Sequence, residues 1–192
     1  VKGTPFKWLD FSKLATLVLP GNASVNRIRY FTARVTPLPG NPDAPIRQQI
    51  YLRALGTIPN LEITFGHFLT NETMMPLAAP APGGPKFVKV RRTDEKGSDV
   101  NLATYLLLDA FRKDCQAALV ISNDSDLAEP IRLAREQFGL RIVLAVPPRK
   151  PSVTLTKLAH LIRRVRPGVL QASQFPDVLT DSVGTFRKPA TW

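Results

Sequence analysis

The sequence is poor in the residues that build covalent and soft-metal frameworks. Of its 192 residues one is cysteine, Cys115, and two are histidine, His67 and His160. A single thiol excludes an internal disulfide and a cysteine-rich zinc site, and it fits a reducing, cytoplasmic setting. Histidines this far apart support neither a His-based zinc site nor a Ser-His-Asp triad. No apolar run approaches the roughly 18 to 20 residues needed to cross a bilayer. The opening VKGTPFKWLD is polar and aromatic rather than a secretory leader, so no membrane association is expected. Acidic residues are also scarce, 15 against 26 Lys and Arg, for a formal net charge of +11. That imbalance directs the chain toward polyanions.

The little acidity there is clusters. Asp94, Glu95, Asp99, Asp109, Asp114, Asp124, Asp126, Glu129 and Glu136 are nine of the fifteen acids. Outside that window the chain is basic, with Arg91-Arg92, Arg149-Lys150 and Arg163-Arg164 the most compact pairs. An acidic pocket on a basic body suits an enzyme that grips a phosphate backbone and cuts it with metal ions. The plainer reading is solvated charge on a soluble protein.

Local patterns predict an alternating α/β chain. A helix is expected over Phe11 to Leu19, ended by Pro20-Gly21, and a strand over Arg27 to Val35. Pro37 to Pro45 reads as a loop. A helix follows from Ala44 or Pro45 to Gly56, then a strand over Leu61 to Leu69. Pro76 to Pro85 (PLAAPAPGGP) should project as a loop, and Lys86 to Arg92 reads as a short strand. Ser98 can cap the next helix, with Asp99 in its first turn. Ala117 to Ile121 is an apolar strand, Leu127 to Phe138 an amphipathic helix stopped by Gly139, and Arg141 to Val146 a strand ended by Pro147-Pro148. Leu155 to Val165 reads as a basic helix. The alternation predicts a parallel, doubly wound sheet flanked by helices. The division expected is one domain over 1–150, with a C-terminal basic helix and extension over 151–192 packed on it.

Ligands in open α/β sheets gather beyond the carboxyl ends of the strands. The turn Ser122-Asn123-Asp124-Ser125-Asp126 ends the Ala117 strand there, and the N-terminus of the Asp99 helix lies on the same edge. Taken alone, the turn is good N-cap material and Asp99 is a helix-dipole residue. Together, Asp99, Asp124 and Asp126 predict a shared metal site, and an all-oxygen set selects Mg²⁺ or Mn²⁺. Asp109 is rotated by roughly 80° from Asp99 around the helix. It either approaches the site from its own end of the helix or is solvated. Lys89, Arg91, Arg92 and Lys96, just upstream, are candidates for holding an RNA backbone. The Asp-x-Asp spacing of Asp124 and Asp126 also suggests phosphotransfer of the haloacid dehalogenase type. That class places its pair on the first strand, whereas here the pair comes late.

Glu95-Lys96-Gly97-Ser98-Asp99-Val100-Asn101-Leu102-Ala103, followed by Val120-Ile121-Ser122-Asn123-Asp124-Ser125-Asp126-Leu127, resembles the two core motifs of the NYN family. This is a bacterial branch of the PIN-like, metal-dependent ribonuclease superfamily. The resemblance implies a three-layer, Rossmann-like α/β fold with a central, mainly parallel sheet. It also implies a Mg²⁺- or Mn²⁺-dependent endoribonuclease in which Asp99, Asp124 and Asp126 hold the metal, Asp109 assists, and Ser122 and Asn123 shape the turn. Two departures stand out. Many family members carry a further acid where this chain has Tyr105. The family also begins with a central strand ending in Asp-Gly-x-Asn, and no such segment precedes Val1. Its loss would expose two strand edges and favour oligomers, including a homo-oligomer. The alternative expectation is a catalytically inactive PIN-like RNA-binding or regulatory protein.

Overall fold

The computed structural model describes residues 4–37, 40–147 and 150–192. Val1 to Gly3, part of the expected Pro37 to Pro45 loop, Pro148 and Arg149 of the basic pair lie outside the described residues. Helix α1 (Phe11–Val18) begins where buried Asp10 accepts hydrogen bonds through Oδ1 from the backbone N–H groups of Ser12 (2.9 Å) and Lys13 (3.1 Å). After it come β1 (Ile28–Ala33), α2 (Ala44–Leu55), β2 (Leu61–Pro76), β3 (Phe87–Lys96), α3 (Ser98–Arg112) and β4 (Ala117–Val120). A 3₁₀ turn, Ser125–Leu127, leads into α4 (Ala128–Phe138) and β5 (Arg141–Val146). The chain continues through α5 (Val153–Leu158), β6 (Leu161–Arg164), α6 (Pro167–Ala172), β7 (Val178–Asp181) and β8 (Gly184–Arg187).

These elements form a mixed α/β fold with helices packed against its sheets. β4, β5 and β6 are parallel, in the order β4-β5-β6. β1 and β2 are parallel, whereas β3 returns antiparallel to β2, and β7–β8 is a separate hairpin. β5 is apolar on both faces because both are covered. Ile142, Leu144 and Val146 cluster with Leu106 and Ala110 of α3, Ile131 and Ala134 of α4, and Leu155 of α5. Ala145 meets Leu14 and Val18 of α1 and Leu170 of α6 on the opposite face. A third cluster joins α2 to the C-terminal hairpin through Trp8, Tyr51, Leu55, Phe175 and Phe186.

Four expectations are corrected. In place of one central parallel sheet, the described strands form two three-stranded sheets and a hairpin, and the second half of β2, His67 to Pro76, pairs antiparallel with all of β3. Pro76 ends that strand rather than opening a loop. The basic helix expected over Leu155 to Val165 stops at Leu158. Leu161–Arg164 is captured as a strand by β5, with His160 Nδ1 accepting from the Ile142 N–H at 3.0 Å. Sheet pairing overrides the local helical pattern there. Ser98 is the first residue inside α3 rather than its cap. The cap is Gly97 at φ 99°, and the Ser98 N–H donates instead to Glu95 Oε1 at 3.2 Å.

Among the described residues β1 pairs only with β2, and β4 only with β5. Between their other edges lies a cleft of about 660 Å³ lined by the consecutive residues Ile28 to Phe31 and Ala117 to Ser122. Consecutive residues line a cleft when strand edges, rather than one sheet face, form its walls. Leu14 and Ala15 of α1 line it too, as do Leu102 and Leu106 of α3.

Candidate functional site

The register fixes which end of the sheet carries the candidate carboxylates. Ala33 at the end of β1 pairs with Gly66, and the next residue of β2, His67, pairs with Lys96 at the end of β3. α3 therefore begins level with the carboxyl end of β1 and runs back toward its start. Two glycines make this turn possible. A Cβ on Gly66 would overlap the Lys96 carbonyl oxygen and lie 2.6 Å from Glu95 Oε1, and Gly97 takes the left-handed conformation. Asp99 thus sits in the first turn of α3, where the helix dipole favours a carboxylate. The turn after β4 brings Asp124 and Asp126 to the same neighbourhood.

The charges of the turn act on Asp99. The proton affinity of Asp99 is raised, first by partial burial and then by the charges of Asp124, Glu95 and Asp126. The turn itself is held by its own side chains. Asp124 N–H donates to Ser122 Oγ at 3.2 Å, and Asp124 Oδ1 accepts from Asp126 N–H at 3.0 Å. Asn123 ties the turn to the start of α5, accepting from Ser152 N–H at 2.7 Å and donating to the Lys150 carbonyl at 3.3 Å. Ser122 and Asn123 therefore do shape the turn. Among the described residues no three His, Cys, Asp or Glu side chains stand close enough to enclose one metal ion. The three aspartates share an edge without forming a closed cage.

Asp109 does not join them. It lies toward the far end of α3, where Arg29 Nε and Nη2 donate to its two oxygens at 2.7 Å each and Arg27 Nη1 adds a contact at 3.3 Å. Arg29 also reaches Glu62 at 2.5 Å and lies 4.4 Å from the centre of the Tyr105 ring. Helical spacing alone left its place open. The two arginines at the start of β1 decide it, and Asp109 is held in an ion-pair cluster there, away from Asp124 and Asp126.

The basic residues assigned to RNA all lie on β3. Lys89 pairs with Glu72 at 2.5 Å, Arg92 with Asp94 at 2.9 Å, and Lys96 with Asp94 at 4.0 Å. Alternation along the strand sends Lys89 and Arg91 to one face of the hairpin and Arg92 and Lys96 to the other. They do not form one basic surface.

Two features escaped the sequence reading. Ser98 Oγ, at the rim of the β1–β4 cleft, is buried without a hydrogen-bond partner among the described residues. A second cavity, also of about 660 Å³, opens between α1, β1 and α2. Its aromatic walls come from four separate segments, so no local motif announces it.

No family model matches the chain. It is 28% identical, over 220 aligned residues, to 6-hydroxy-3-succinoylpyridine 3-monooxygenase HspA of Pseudomonas putida (strain DSM 28022 / S16). The alignment covers 100% of this chain and 70% of that enzyme. Among solved structures it resembles a protein of unknown function, VPA0982, from Vibrio parahaemolyticus RIMD 2210633. The TM-score is 0.50 at 15% identity, over 83% of this chain and 80% of that one, a likeness of fold alone. These findings overturn the expectation of an RNA-hydrolysing enzyme. The named relative is a monooxygenase, whose reaction inserts oxygen and is not a hydrolysis.

Proposed function

We propose that this chain is an enzyme that inserts oxygen into a hydroxylated aromatic ring, with its reaction centre at the carboxyl edge around Asp99. Similarity along its whole length to a monooxygenase of a hydroxypyridine carries the reading. The site's electrostatics supports it. Ring oxygenation is eased when the ring hydroxyl loses its proton and the ring becomes electron-rich. Asp99, with its raised proton affinity, is the base placed to take that proton. The balance is one oxygen atom of O₂ inserted into a ring C–H bond and the other released as water, with two electrons from an external reductant and two protons from solvent.

A divalent cation fits the edge in a limited way. Mg²⁺ commonly uses one or two carboxylates and keeps several waters. Asp124 and Asp126 would hold Mg²⁺ or Mn²⁺ in that manner, with the charge of Asp99 beside them. The cation would stabilise the deprotonated ring oxygen. Asp124 would keep its contact with the Asp126 N–H, and Asn123 would hold the turn in place against α5.

We also propose that the two three-stranded sheets are halves of one NYN-type, PIN-like sheet. A strand from outside residues 1–192 would fill the β1–β4 cleft. Strand edges on two sides and helices above and below support this reading.

Oxygen uptake tests the function. With 6-hydroxy-3-succinoylpyridine, a nicotinamide reductant and Mn²⁺, the chain should consume oxygen, and Asp99→Asn should slow it by about 10²-fold or more. Equal rates in the two proteins would remove Asp99 from the chemistry.

A further inference from the structure

The second cavity has the composition of a ligand site. Phe11, Tyr30, Tyr51 and Trp192 form its aromatic wall, with Lys7 and Arg47 on its rim. The rings are mutually braced. Phe11 and Tyr30 have centroids 5.3 Å apart, Tyr30 and Tyr51 6.3 Å, and Tyr51 and Trp192 5.4 Å. Tyr51 is fixed further by its hydroxyl, which donates to the Leu9 carbonyl at 2.8 Å. Burial pushes the Tyr30 and Tyr51 phenols above their usual range, so neither contributes negative charge near neutral pH.

The rim is cationic and uncompensated. No Asp or Glu lines the cavity, and neither Lys7 nor Arg47 has a carboxylate partner among the described residues. Arg47 is held toward the opening by a hydrogen bond to Asn41 Oδ1. Elsewhere, Arg29 and Arg53 both lie over aromatic rings and are bound by aspartates. Here aromatic rings and cations line one cavity with no Asp or Glu among them.

We propose that this cavity binds a small planar aromatic acid, its ring against Tyr30, Tyr51 and Trp192 and its carboxylate on Arg47 and Lys7. Arg47 supplies the forked donors that carboxylates prefer. Lys7 adds a point charge. Aromatic walls with a few convergent polar groups are the usual make-up of small-molecule sites. The assignment goes beyond the proposed reaction centre and stands on the cavity alone.

Pyridine-3-carboxylate and its neutral carboxamide distinguish the charge from the ring. Titrated by calorimetry and by tryptophan fluorescence, the carboxylate should bind one per chain, at least about tenfold more tightly than the amide. Arg47→Gln should weaken it by about tenfold or more, and Lys7→Met by less. Both side chains lie on the rim, and thermal melting confirms that each variant folds. Asp99→Asn should bind normally, so failure of the oxygenation reading leaves this test intact. Equal affinity for acid and amide, no binding at millimolar concentration, or unchanged affinity in both rim variants would overturn the assignment.

Discussion

Replacing Arg29 by Met should destabilise the protein far more than deleting the pair it forms with Asp109. The two side chains are 13% and 17% exposed, and Arg29 donates twice to Asp109 at 2.7 Å. Breaking a fully buried pair from one side costs about 3–5 kcal/mol, because the remaining charge is stranded. Here Arg27 stays within 3.3 Å of Asp109 and some solvent reaches both groups. The expected loss for Arg29→Met is therefore about 2–3 kcal/mol. It is a large fraction of a typical net stability of about 5–15 kcal/mol. Asp109→Leu should cost less, because Arg29 keeps Glu62 at 2.5 Å and the Tyr105 ring. The double variant should recover most of the loss, since an apolar pair of matching volume is often neutral. Urea unfolding of the four proteins measures the coupling. Single losses under about 0.5 kcal/mol that simply add would show two solvated charges. Oxygenation lost in a stable double variant would return Asp109 to the chemistry.

Asp99→Asn should raise the melting temperature at neutral pH. A carboxyl whose folded proton affinity is raised binds more protons folded than unfolded, so its ionisation costs stability as pH rises from the usual aspartate range through the folded value. The gain should disappear in acid below that range, and a gain that persists there would assign it to another cause. Asp181 has the opposite sign. Arg53 Nε and Nη2 each donate to it at 2.6 Å, and the Val183 and Gly184 N–H groups add to them, holding it well below the usual carboxylate range. Asp181→Asn should lower stability at neutral pH, with the difference from the parent narrowing as pH falls below about 3.9. Gly66→Ala should cost at least about 2 kcal/mol, because the atom it overlaps is a backbone carbonyl that no rotamer change can move. It should also weaken Mn²⁺ binding by displacing the start of α3, measured by calorimetry. Amides facing the β1–β4 cleft, such as those of Phe31 and Leu119, should exchange hydrogen faster in this chain than in one extended upstream of Val1. Equal rates would leave the cleft unfilled.

Much of the fold was legible because local signals agreed with tertiary ones. α1, α2, α4 and β5 lie within a residue or so of where capping, periodicity and glycine stops put them. The misread segments are those where distant partners decide. Leu161–Arg164 carries a pattern compatible with a helix, but β5 recruits it as a strand. The length of β2 depends on its pairing with β3, Phe87–Lys96, which no window over Leu61 to Leu69 contains. At the site, the strand-end and helix-start rule placed Asp99, Asp124 and Asp126 together, because topology alone determines which edge they share. Asp109 was ambiguous because its partners, Arg27 and Arg29, are some eighty residues away. The reaction class was misjudged for a different reason. Carboxylates at a sheet edge serve many chemistries, and the motif around them does not select one.

Oxygen-18 labelling tests the central claim most directly. The chain, supplied with 6-hydroxy-3-succinoylpyridine, a nicotinamide reductant, Mn²⁺ and ¹⁸O₂ in ordinary water, should give a hydroxylated product carrying one ¹⁸O atom by mass spectrometry. A product whose new oxygen comes from water, or an unaltered ring after prolonged incubation with folded protein, would contradict it.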